Sequence, residues 1–149
     1  MSMNMNVITT FGERQRQKQW KFERNILRNL SVQSLRKDVQ QQFLRFLPLD
    51  QIGQMYVEDY CLDIGVDSYL LGASFSRFGY YGDTAEKTMD RCREQIEEYI
   101  DQVKHHLYAW TYGMEVDEEE FVEAGKAFVR RWWMKGFEEG EKQHRLKMH

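Results

Sequence analysis

Apolar residues recur along this chain at spacings of three and four, the period that puts side chains on one side of an α-helix. Between residues 13 and 30, Trp20, Ile26, Leu27 and Leu30 fall on one side. Ser31 can cap a second helix whose face is Val32, Leu35, Val39, Phe43 and Phe46, and Pro48 ends that run. Asp50 can cap a third, reaching to about Phe78, in which Ile52, Tyr56, Ile64, Val66 and Leu71 point almost all round. A helix that is apolar on every side is central and buried. Gly79 to Gly82 interrupts the pattern, and Asp83 with Glu86 three residues on reads as a capping box for a fourth helix. That helix carries Met89, Cys92, Ile96, Tyr99, Val103, Leu107 and Trp110, and Gly113 stands where a terminating glycine belongs. Asp117 and Glu120 repeat the box before a fifth, striped by Phe121, Gly125, Phe128, Val129 and Trp132.

The pattern predicts an all-α fold of about five helices, the last three forming an antiparallel bundle core beside a basic N-terminal helix. Residues 1–12 show no periodicity and are expected to be a flexible N-terminus, with 13–149 a single helical domain. One proline and ten glycines suit long helices and leave too few turn formers for a many-stranded fold. No apolar run approaches the ~20 residues of a membrane span. The opening residues lack the basic-then-apolar order of a signal peptide. Cys61 and Cys92 are far apart, so no CxxC pair exists, and two thiols with no such signal point to a reducing, cytoplasmic location.

Charge adds a second layer. Residues 1–48 hold nine Lys and Arg against three Asp and Glu, a net of +6. Residues 49–126 hold six against eighteen, a net of −12, and the remainder six against three, a net of +3. On a wheel centred on Trp20, Arg14, Lys18, Lys21, Arg24 and Arg28 span about 40° to 160°, while Phe22, Ile26, Leu30 and Leu27 span about 200° to 340°. One helix thus carries a cationic face and an apolar one. With the chain acidic overall and no aromatic interleaving the cations, nucleic acid is not expected as a partner.

Candidate chemistry is sparse. Asp59, Asp63 and Asp67 recur every fourth residue on the third helix, as a magnesium-dependent all-α phosphohydrolase would want. The facing acids, Glu98 and Asp101, lie opposite the apolar stripe of the fourth helix, so half of such a site points away. Ion pairs, with Arg77 nearby, and tyrosine hydrogen bonds are the expected role of the strip. Only Glu141 and His144 make a Glu-x-x-His pair, where a di-iron bundle needs two. No GxSxG elbow, GxGxxG or GxxxxGK[ST] loop occurs, and both cysteines read as packing residues. No metal or cofactor is expected. Arg77, Tyr80 and Tyr81 in the Phe75–Asp83 stretch could grip a ligand ring, though a tight turn closing the end of the core is the favoured reading. Trp133 and Phe137 fall at the edge of the last helix's stripe, beside a Gly136/Gly140 spacing that permits close approach, and suggest a homodimer interface.

The run LLGASFSRFGYYGD from Leu70, the helix TAEKTMDRCREQIEEY after it and the opening QKQWKFERNILRNLS together resemble the small uncharacterised YbaK-like family of Bacillus and its relatives. This is not the aminoacyl-tRNA editing enzyme that shares those letters. The resemblance implies a cytoplasmic bacterial protein and transfers no functional residue. The leading expectation is a non-enzymatic interaction or regulatory protein acting through protein–protein contacts, including self-association. The alternatives are the hydrolase on Asp59, Asp63 and Asp67, and a nucleic-acid binder on the basic helix.

Overall fold

A computed structural model describes residues 2–45 and 47–147. Phe46, one of the positions assigned to the second helix's face, lies outside them. The helices are α1 (Ser2–Arg28), α2 (Val32–Val39), continued by a π-helical segment (Gln40–Leu44), α3 (Gln51–Ser74), α4 (Ser76–Tyr80), α5 (Ala85–Arg91), α6 (Arg93–Thr111) and α7 (Glu118–Lys147). Among the described residues there is no strand. The fold is all-α.

Where the helices start follows the caps. The Ser31 hydroxyl accepts from Ser34 N–H at 3.2 Å, Asp50 from Gly53 N–H at 2.7 Å, and Asp117 from Glu120 N–H at 3.3 Å. Gly113 has φ +79, the left-handed residue after α6. One cap differs from expectation: Thr84, not Asp83, caps α5, its hydroxyl accepting from Lys87 N–H at 3.1 Å. The turn through Gly82, at φ +114, brings Thr84 into the extended conformation a cap requires, and the Asp83 carboxylate takes Arg91 Nε at 2.9 Å instead.

Two helices expected to be continuous are broken. The third breaks at Phe75 (φ −97, ψ 0), separating α3 from α4, and the fourth at Cys92 (φ −118, ψ 30), separating α5 from α6. At Cys92 the N–H donates to the Met89 carbonyl three residues back, at 3.1 Å, so the chain tightens by a turn of 3₁₀ type without any glycine or proline to announce it. α1 begins at Ser2, well before the residue 13 at which its periodicity starts. Adding a turn to an existing helix costs far less than nucleating one, and no proline stands in the way.

The core lies where α3, α6 and α7 meet. Tyr56 stacks on Trp110 (5.4 Å between centroids) and Tyr60 on His106 (3.9 Å), so α6 runs opposite to α3; Tyr108 meets Phe121 (5.5 Å) and Cys92 meets Trp133, so it also runs opposite to α7. The expected antiparallel core is therefore up, down, up. Its closest interface is nevertheless between the two parallel members. A Cβ on Gly136 would run into the Tyr69 carbonyl, and one on Gly72 into the Trp133 carbonyl. The two backbones touch there, with Gly140 set against Ser76 of α4 in the same way.

This contact corrects the proposed homodimer surface. Trp133 is fully buried and Phe137 nearly so, the two rings stacked at 5.1 Å, and Gly136 and Gly140 serve α3 and α4 of the same chain. α7 is embraced by α3, α4 and α6, which makes its buried arc wider than the single stripe that its first turns suggest. α3 departs in the other direction: Ile52, Met55 and Tyr56 near its start are exposed. α2 and the π segment close the remaining side with Leu35, Val39 and Phe43, the last edge-on to Phe128 at 5.3 Å.

Both cysteines are buried and free. Burial pushes the Cys61 thiol up to about 12, and Cys92, which accepts the Trp133 indole N–H at 3.2 Å, is also raised by burial. A buried, un-ionised thiol is inert. In a timed reaction with an aromatic disulfide reagent at pH 8, neither is expected to react in the native chain and both in denaturant. Fast native modification of Cys61 would revive it as a nucleophile.

Candidate functional site

α1 is clasped to the body near its C-terminal end. Ile26 is fully buried, the Tyr69 hydroxyl donates to the Ile26 carbonyl at 3.1 Å, and Asn29 Nδ2 reaches Glu139 Oε1 at 2.6 Å. Burial lifts the Tyr69 hydroxyl to about 12, so it remains a donor at every ordinary pH. Upstream of this clasp, Phe11, Arg14, Gln15, Lys18, Gln19 and Phe22 recur at three and four and line one wall of a cleft of about 680 Å³. Ser74, Phe75 and Arg77 form the second wall, and His144 and Lys147 of α7 the third.

The cleft is cationic. Among the described residues, no carboxylate lies within ion-pairing distance of Arg14, Lys18, Arg77 or Lys147. Aromatic faces take the place of counter-ions: the Arg77 guanidinium lies 5.1 Å over Phe78 and Lys147 Nζ 5.1 Å over Phe22. His144 sits between Phe22 and Tyr80, at 5.2 and 6.0 Å between centroids. Its pKa is lowered, first by burial and then by Lys147 and Arg77, so burial and the positive field both favour the neutral ring.

Residues expected to act separately are thus sorted anew. Arg14 and Lys18 of the basic helix and Arg77 of the supposed ligand loop come together in the cleft. Tyr80 backs His144 from one side, while Tyr81 is 80% exposed and meets Tyr80 edge-on. By the helical wheel Trp20 and Arg24 lie on the other side of α1, away from the cleft, whereas Lys21 falls beside Arg14 at its margin and Arg28 lies nearer the clasped end. Trp20 is 61% exposed and does not join the core stripe expected of it; Arg24 lies 4.9 Å over its ring. Two cleft residues come without a signal for this role: His144 stands in the sequence only as half of a Glu-x-x-His pair, and Lys147 only within the basic balance of the tail.

A second cleft, of about 630 Å³, is its electrostatic opposite: Glu94, Glu97, Glu98 and Asp101 with Tyr60, His105 and His106. These acids face outward, as their place on the wheel requires. Asp59, Asp63 and Asp67 are all exposed on α3 and do not join them. The Asp67 carboxyl is raised by burial and by Asp63, but among the described residues no three His, Cys, Asp or Glu are placed to hold a metal ion. Arg77 does not neutralise the strip; Glu58 pairs with Arg36 at 2.9 Å, and Arg77 turns to the basic cleft. No helix among the described residues is long and apolar enough to cross a membrane.

Comparison with known proteins agrees with the resemblance read from the sequence. An uncharacterised protein of Bacillus subtilis (strain 168), YbaK, is 30% identical over 146 residues, covering 97% of this chain and 99% of that one. No solved structure matches. The family described as "Protein of unknown function (DUF2521)" matches residues 5–149, and the chain belongs to it.

Proposed function

We propose that this is a non-enzymatic, cytoplasmic interaction protein that meets an acidic protein partner through the outward side of α1. The observation that carries this reading is Trp20, a large aromatic ring 61% exposed beside the exposed Leu27, with Arg24 stacked on it at 4.9 Å. Tryptophan and arginine are the residues on which protein interfaces concentrate their binding energy. Lys21 and Arg28 flank them and give the strip a positive sign, which steers an acidic surface toward it.

A photo-crosslinking residue at Leu27 in living cells tests it. The expected result is one discrete protein adduct, lost when Lys21, Arg24 and Arg28 are changed to Glu and absent when the crosslinker is moved to Gln95 on α6. Adducts at Leu27 no stronger than at Gln95 would refute the reading. A salt-sensitive, submicromolar gel shift lost on changing Lys18, Lys21 and Arg28 to Glu would replace the protein partner with nucleic acid.

A further inference from the structure

We propose that the cleft between α1, α4 and the end of α7 is a binding site for a nucleoside polyphosphate, its phosphates held by Arg14, Lys18, Arg77 and Lys147 and its base set against Phe11. The inference does not depend on the partner reading, because it rests on Arg14, Lys18, Arg77 and Lys147 and not on Trp20, Arg24 and Leu27. Four cations from three separate helices converge on one cleft with no carboxylate paired to them among the described residues. Like charges gathered in this way repel one another, and a multiply charged anion relieves that repulsion where a single carboxylate would offset only one. Arginine and lysine side by side suit phosphate, the first by its forked geometry and the second as a point charge.

The second half of the ligand follows from the walls. Phe22 already carries Lys147 and His144 on its ring. Phe11, which also lines the cleft, is 65% exposed and has a face to offer. An aromatic base stacks on such a ring with little regard to its identity. The volume of about 680 Å³ falls within the range that small ligands occupy. Three helices wall the space, which suits a compact molecule better than a continuous strand.

Calorimetric titration of the intact chain at physiological salt is the test, with ATP, pyrophosphate and a single-stranded oligonucleotide as probes. ATP is expected to bind with a Kd below about 100 µM, a range ordinary for a metabolite. Lys18→Glu and Arg77→Glu, both at exposed side chains, are expected to weaken it at least tenfold with the circular dichroism unchanged. Phe11→Ser is expected to weaken ATP and leave pyrophosphate unaffected. Arg28→Glu, beside the clasped end of α1 and outside the cleft lining, is expected to change neither, which separates this site from the partner surface. No ATP binding at millimolar concentration, or equal binding by the Lys18→Glu and Arg77→Glu variants, would overturn the proposal. So would pyrophosphate binding as tightly as ATP with no effect of Phe11→Ser, or an oligonucleotide binding while ATP does not.

Discussion

Gly136→Ala is expected to destabilise the protein by about 3 kcal/mol or more, the upper part of the range for forcing an extra carbon into a packed interior. Alanine is the better helix former by about 1 kcal/mol, so an exposed helical glycine gains from this change. At Gly136 the new Cβ would land on the Tyr69 carbonyl group, with the Tyr69 carbonyl carbon only 2.6 Å and its Cα 2.9 Å away. Those atoms belong to α3's backbone and cannot rotate aside, so α3 and α7 must separate. That movement would loosen Trp133 and Phe137, which are buried along the same line. Gly125→Ala is the control on the same helix. Its Cβ would meet Val103 Cγ1 at 3.5 Å, ordinary contact, and the change is expected to be neutral or stabilising by up to about 1 kcal/mol. Urea midpoints for the two variants check the pair. A loss below about 1 kcal/mol at Gly136 would mean that the helices do not touch as described.

The same glycines show how far the fold was legible. Periodicity gave the helices and their caps, because an amphipathic helix declares its buried face every third or fourth residue. It gave α7's width poorly, since a helix embraced by three neighbours buries more than one stripe. The Gly136/Gly140 spacing is plain in the sequence, but a small-residue spacing does not say which helix it receives; the answer, α3 and α4 of the same chain, lies 60 to 70 residues upstream in sequence. The breaks at Phe75 and Cys92 could not be read at all, being turns of 3₁₀ type made by ordinary residues. The basic cleft was legible only in pieces. Arg14, Lys18 and Arg77 were singled out for two unrelated reasons, and the contacts that unite them with His144 and Lys147 are set by where α1 is clasped, at Tyr69 and Glu139. Local pattern records a helix's own faces and not the neighbour each face meets.

The second large effect is expected at Asp38, where two different interactions end on one carboxylate. Its oxygens accept from Arg131 Nη1 at 2.9 and 2.7 Å and from the Trp132 indole N–H at 2.7 Å. The pair ties α2 to α7, and the magnitudes say which bond matters. The Arg131 side chain is 37% exposed and the Asp38 side chain 15%, so water screens the ion pair and it contributes about 1 kcal/mol or less. Trp132 is only 3% exposed, so its N–H cannot turn to water if Asp38 is lost, and an orphaned buried donor costs roughly 1–3 kcal/mol. Asp38→Ala is therefore expected to cost about 2–3 kcal/mol, and Arg131→Ala less than half of that. Asp38→Asn retains an oxygen for the indole and should recover most of the loss. Raising the salt concentration should narrow the Arg131→Ala effect and leave the Asp38→Ala effect nearly intact, since salt screens the exposed pair and not the buried bond. Equal costs for Asp38→Ala and Arg131→Ala, with both fading in salt, would show that the ion pair and not the indole holds α2 in place.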